Sequence, residues 1–165
     1  MGNTQNRFLP FDRVLPKCEP GDLLEILYPN SSFNHWAVYI GEGAIIHVRQ
    51  PWIKRESVES AVGADYNDHN TSSKLVRINN DKHKVLKIPP QSSQKIVDSA
   101  NEQIGMEWYN MQFYGCEMFA IRCRYGVKVD VRKELYKSTD IEKPTDSMVA
   151  LSNPLITHGH QQHEF

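Results

Sequence analysis

The apolar residues in the first half of the chain fall into short runs of strand length, each closed by turn residues. Pro20-Gly21 marks a turn into a run from Asp22 to Tyr28. His35-Trp36-Ala37-Val38-Tyr39-Ile40 and Ala44-Ile45-Ile46-His47-Val48-Arg49 flank Gly41-Glu42-Gly43, which reads as a tight hairpin. Ser57 to Ala61 and Lys74 to Asn79 are weaker strand candidates, separated by a polar segment from Gly63 to Ser73. The period then lengthens. Ile96, Val97, Ala100 and Ile104 fall on one helical face, with Ser92 or Ser93 to cap its start and Gly105 to end it. A second helix is expected from about Cys116 to Gly126, with Phe119, Ala120 and Cys123 on its inner face. The pattern predicts an α+β fold, a small antiparallel sheet with helices packed against it. Residues 1–17 read as a polar arm, 18–130 as the folded domain and 131–165 as a polar tail containing Pro144 and Pro154.

The hairpin bears on chemistry because each of its strands carries a histidine. Side chains alternate along a strand, so His35, Ala37 and Tyr39 share one face, and Ile45, His47 and Arg49 share one face of the partner. A two-residue turn opposes Val38 to His47 and puts the histidines on opposite faces. A three-residue loop at Gly41-Glu42-Gly43 opposes Ala37 to His47 and brings both imidazoles to one face, roughly 7–8 Å apart between diagonal positions. Gly43 can supply the left-handed residue that a type I turn with a G1 bulge demands. The glycine pattern therefore favours the shared face.

Composition narrows the function classes. The 165 residues, 39% of them hydrophobic, suffice for one domain with a real core. A net charge of −1 argues against a nucleic-acid binder, which normally shows a basic excess. No run approaches the ~18 apolar residues of a membrane span, and the N-terminus lacks a signal-peptide core, so a cytoplasmic protein is expected. The three cysteines, Cys18, Cys116 and Cys123, make an odd count. On one helix, Cys116 and Cys123 would stand about 10.5 Å apart along the axis, too far to bridge, so reduced thiols are expected.

Cys116 is the candidate nucleophile. A thiol in the first turn of a helix feels unpaired N–H groups and the positive end of the dipole, which favour thiolate. A neighbouring imidazolium would favour it further. The same N–H groups could stabilise an oxyanion. A thiol that attacks a carbonyl needs an imidazole to take its proton and a second polar group to orient that imidazole, and Cys116, His35 and His47 could fill these roles.

These segments resemble a known family. Pro20-Gly21-Asp22-Leu23-Leu24-Glu25-Ile26, the His35 to Gly43 run, Ile46-His47-Val48, Cys116-Glu117-Met118-Phe119 and Cys123-Arg124-Tyr125-Gly126 are together similar to the lecithin:retinol acyltransferase-like family, in particular its H-rev107-type phospholipases and acyltransferases. The resemblance implies a permuted papain-like NlpC/P60 fold. It implies His35 as general base, His47 as the histidine that orients it, and Cys116 as a nucleophile that takes an acyl chain from a phospholipid as a thioester. The acyl group would then pass to water, an amine or a lysophospholipid. Gly115 and Met118 stand where the family's Asn-Cys-Glu-His-Phe box has Asn and His. Two alternatives stay open: an NlpC/P60-like cysteine peptidase or amidase, and a non-enzymatic interaction protein of the kind found among soluble viral relatives.

The remaining features are weaker. Trp52-Ile53-Lys54-Arg55 sets apolar beside cationic side chains, as peripheral membrane contact requires, although an ordinary strand start with a solvated rim is the simpler reading. Met1-Gly2 invites N-myristoylation, but Asn6 stands where that motif wants Ser or Thr. His158, His160 and His163 lack a fourth metal ligand, and Lys82, His83, Lys84 and Lys87 read as solvated surface. Cys123 reads as a packing residue. No cofactor, metal or nucleic-acid partner is expected.

Overall fold

The computed structural model describes residues 7–29, 31, 33–63, 74–81, 86–108 and 115–126. Its centre is a five-stranded antiparallel sheet in the order β4-β3-β2-β1-β5. The strands are β1 (Leu23–Ile26), β2 (His35–Gly41), β3 (Ala44–Arg49), β4 (Trp52–Ser57) and β5 (Val76–Ile78). Among the described residues four α-helices accompany them: α1 (Phe11–Val14), α2 (Val58–Gly63), α3 (Ser93–Glu102) and α4 (Gly115–Tyr125). The α+β expectation therefore holds, with a small antiparallel sheet carrying helices.

Alternation divides the core in two. Leu23, Trp36, Val38, Ile46, Val48 and Ile53 pack with Ile96 and Ala100 of α3 and with Met118, Phe119, Ile121 and Cys123 of α4. Leu24, Ile26, Ala37, Tyr39 and Ile45 pack with Val14 of α1 and with Val58, Ala61 and Val62 of α2. β1 and β2 are apolar on both sides because each side meets helices. α4 is buried almost all round, which explains why its apolar residues show little single-faced pattern.

Several expectations change. Trp52–Ser57 forms a full strand on β3, and the Ser57 to Ala61 segment, expected as a strand, mostly belongs to α2. Val58, Ala61 and Val62 are buried at helical spacing, and Ser57 Oγ accepts the Ser60 N–H at 3.0 Å, which caps the turn. Part of the segment expected as a polar arm lies on the sheet: Leu9 bridges Val76, and Val14 is buried. Ser92 caps α3 by accepting from Lys95 N, as expected, but that helix ends at Glu102, so Ile104 lies beyond it and is 42% exposed. α4 runs as predicted and ends before Gly126, whose φ of +104° closes it. The tail with His158, His160 and His163, most of the polar segment, and Lys82, His83 and Lys84 fall outside the described residues.

The hairpin reaches the expected register by another route. Val38 pairs with Ile46 and Tyr39 with Ile45, so the ladder continued one step sets Ala37 against His47. Glu42 and Gly43 both have positive φ, +52° and +72°, the mark of a two-residue type I′ turn. The extra residue is a bulge between Tyr39 and Gly41, with Gly41 at φ +102°. The bulge expected at Gly43 therefore sits on β2 before the turn. It shifts the pairing by one residue and turns both histidines to one face.

Candidate active site

His35 opens β2 and His47 lies within β3. Their rings meet edge to face with centroids 4.9 Å apart, and His35 Nε2 is 2.7 Å from His47 Nδ1. The opposite side of His47 is occupied as well, because Nε2 is 3.0 Å from Glu56 Oε2 on β4. That oxygen also accepts from the Arg49 guanidinium at 3.4 Å. Tyr28 stacks on the His35 ring with centroids 5.8 Å apart, and Lys74 Nζ lies 4.8 Å from the Tyr28 ring centroid. Only 1% of His47 is exposed, so its ring depends on these partners for its polar contacts.

Burial lowers both imidazole pKa values. His35 is pushed down to about 3, first by desolvation and then by the positive charge of His47, Arg49 and Lys74, with Glu56 opposing. His47 is pushed down to about 4 by desolvation, with Arg49 and Lys54 adding to the effect. Near neutral pH both rings are therefore neutral, and no imidazolium stands ready to stabilise a thiolate.

Cys116 lies in the first turn of α4, and its Sγ lies 4.0 Å from the carbonyl oxygen of Asn34, the residue before His35. Desolvation raises its pKa. Backbone N–H groups of Trp36, Glu117 and Cys116 oppose that rise, and the Glu117 charge adds to it. The thiol expected to ionise readily is thus held as a thiol. Among the described residues its sulfur makes no hydrogen bond to either imidazole. The structure brings the two histidines into direct contact and sets the sulfur against the backbone beside His35.

Asn34 is itself held firmly. Its Nδ2 donates to Glu25 Oε1 at 2.8 Å, and its Oδ1 accepts from Tyr28 N at 3.3 Å. The other Glu25 oxygen accepts from Arg77 Nε at 2.6 Å and from Asn79 Nδ2 at 2.8 Å. Sequence reading passed over both Glu25 and Glu56. The signal for Glu56 was the Gln50-Pro51 turn, because a strand leaving it opposes Lys54 to His47 and puts Glu56 on the same face. Cys123 packs as expected, fully buried with its thiol pushed up to about 12 by desolvation. Among the described residues no group of three His, Cys, Asp or Glu side chains could hold a metal. None of their helices is long and apolar enough to cross a membrane.

Known proteins are similar to this chain in sequence. Human phospholipase A and acyltransferase 3 is 32% identical over 126 residues, covering 68% of this chain and 74% of that protein. The mouse protein of the same name is 26% identical over 162 residues, covering 90% of this chain and 96% of its own length. Human phospholipase A and acyltransferase 4 is 30% identical over 128 residues, covering 66% of this chain and 70% of that protein. A family model described as lecithin retinol acyltransferase matches residues 16–129, which take in both histidines and Cys116. The chain belongs to the lecithin retinol acyltransferase family.

Proposed function

We propose that the chain is a thiol-dependent phospholipase A1/A2 and acyltransferase, with Cys116 as nucleophile, His35 as general base and His47 orienting His35. The observation that carries this reading is the 2.7 Å contact between His35 Nε2 and His47 Nδ1, made where β2 begins and where the Cys116 sulfur meets the backbone. The names of the relatives, phospholipase A and acyltransferase, supply the substrate class.

The neutral starting state sets the order of events. His35 takes the thiol proton as the sulfur attacks the ester carbonyl, so a preformed ion pair is not required. N–H groups of the first turn of α4, which have no carbonyl partner within the helix, are suited to the tetrahedral oxyanion. Collapse breaks the ester C–O bond, and the imidazolium returns its proton to the departing lysophospholipid oxygen. The thioester on Cys116 is then attacked by water, an amine or a lysophospholipid, with His35 again accepting the proton.

The substrate is a bilayer lipid, and one surface of the chain fits a bilayer. Trp52, Ile104 and Met106 are the exposed large apolar side chains among the described residues, at 40%, 42% and 54% exposure. Trp52 and Ile104 line one shallow cavity with Lys54 and Arg55, and Ile53 N donates to Met106 O at 3.0 Å. Lys54 pairs with His47 across the sheet, so this patch adjoins the histidine pair. Apolar side chains beside cations suit an anionic bilayer surface. Trp52→Ala combined with Ile104→Ala is expected to cut co-sedimentation with phosphatidylserine-containing vesicles several-fold. Unchanged co-sedimentation would remove this surface from the account.

Turnover is tested by incubation with diacyl phosphatidylcholine and assay of released fatty acid for wild type, Cys116→Ala and His35→Ala. Release by wild type and loss in both variants is expected. Cleavage of peptide substrates without lipid turnover would assign the peptidase reading instead.

A further inference from the structure

We infer that Glu56 is a positioning residue of the active site, which fixes the tautomers of both histidines and thereby makes His35 Nδ1 the basic atom. The inference rests on the catalytic reading above for its consequence, and on hydrogen-bond chemistry for its direction. A carboxylate can only accept hydrogen bonds, so at the 3.0 Å contact the proton lies on His47 Nε2. Neutral His47 then has a bare Nδ1, which must accept across the 2.7 Å contact, so the proton there belongs to His35 Nε2. Neutral His35 is left with its lone pair on Nδ1. The proton positions run in one direction from the Glu56 carboxylate, and only that direction leaves a base on the outer nitrogen of His35.

The surroundings support a dedicated role. Only 1% of His47 is exposed, so no bulk water can stand in for the carboxylate. Among the described residues the other charged groups near the pair are cationic: Arg49 on β3, Lys54 directly opposite His47 on β4, and Lys74 beside Tyr28. Cations can donate to a ring nitrogen and none can accept from one. Arg49 also donates to the same Glu56 oxygen and helps hold it in place. Without Glu56, donors around His47 favour the reversed tautomer, which puts a proton on His35 Nδ1 and removes the base. Among the described residues the Glu56 carboxylate meets His47 and Arg49 and makes no hydrogen bond to the Cys116 sulfur, so it acts on His35 through His47.

Long-range ¹⁵N–¹H correlation spectra of the histidine rings report tautomers directly and do not depend on turnover. For the full chain at pH 7, both His35 and His47 are expected as Nε2–H forms with pyridine-like Nδ1 signals. In Glu56→Leu, His47 is expected to shift toward Nδ1–H and His35 with it, while kcat falls about 10²-fold with KM little changed, as for lost orienting partners. Glu56→Gln keeps an acceptor oxygen in a side chain of the same shape. It is expected to retain the wild-type tautomers in part and to restore at least tenfold of the activity lost in Glu56→Leu. Urea denaturation of each variant separates misfolding from mispositioning, and Glu56→Met, which also lacks an acceptor, serves where Glu56→Leu does not fold. Wild-type tautomers and wild-type kcat in folded Glu56→Leu, or in folded Glu56→Met if that variant is lost, would overturn the inference. Tautomers that follow Glu56 while His35→Ala turns over like wild type would overturn the catalytic reading and leave the Glu56 assignment standing.

Discussion

Replacing Glu25 by alanine removes the acceptor around which β1, β2 and β5 exchange side-chain hydrogen bonds. Glu25 is 6% exposed and accepts from Arg77 at 2.6 Å, from Asn79 at 2.8 Å and from Asn34 at 2.8 Å. A hydrogen bond to a charged group contributes about 1.5–3 kcal/mol and a neutral one about 0.5–1.5 kcal/mol. Arg77 is partly exposed, and water can recover part of its share. A loss of about 3 kcal/mol is therefore expected, at the lower end of what breaking a buried pair costs. Urea denaturation at pH 7 measures it, with an unchanged m-value showing that the unfolded state is the same. The pH dependence supplies a second signature. Burial pushes the Glu25 carboxyl up, but hydrogen bonds from Arg77, Asn79 and Asn34 and the Arg77 charge outweigh it and hold the pKa below its ordinary 4.5. A depressed carboxylate contributes stability above its unfolded pKa and loses it as pH falls through the folded one. Glu25→Ala should therefore flatten the stability curve below pH 4.5. A cost under about 1 kcal/mol, or an acid limb as steep as wild type, would refute the reasoning.

Other consequences follow from the hairpin and the histidines. Gly41→Ala should cost about 1–2 kcal/mol in urea denaturation, because a left-handed backbone opposes a Cβ. The added carbon would meet Pro20 Cγ at an ordinary 3.5 Å, so the cost is conformational. Gly63→Ala, with open space around its Cβ and no positive φ, should be near neutral, and an equal loss at both sites would contradict the bulge argument. The histidine pKa values fall from 6.5 to about 3 and about 4, so the unfolded chain binds more protons in between. Stability is accordingly full above pH 6.5 and declines as pH falls toward those values, and His35→Ala with His47→Ala should remove that decline from the denaturation curves.

Local rules reached far into this fold. Period-two runs located β1, β2 and β3, and Ser92 and Gly126 marked helix ends for the reasons that cap chemistry gives. The histidines' shared face was also legible, because a surplus residue in a glycine-rich turn shifts register by one. Its placement at Gly41 was not, since glycines at 41 and 43 both tolerate positive φ and only the ladder decides between them. Val58 to Val62 illustrates the opposite failure. β-branched residues in a short apolar run look like strand, and burial at helical spacing against α1 overrode them. Thiol ionisation was misjudged because a helix start favours thiolate, whereas the depth of Cys116 depends on packing that no local pattern records. Glu25 was invisible for the same reason, since its partners come from neighbouring strands, whereas the strand leaving the Gln50-Pro51 turn would have put Glu56 on the face of His47.

Acylation of Cys116 tests the central claim most directly. After brief incubation with diacyl phosphatidylcholine and acid quenching, intact-mass spectrometry should show the chain heavier by one fatty acyl group. Peptide mapping should place it on Cys116, and neutral hydroxylamine should remove it. An unmodified Cys116 together with fatty acid release that persists in Cys116→Ala would contradict the account.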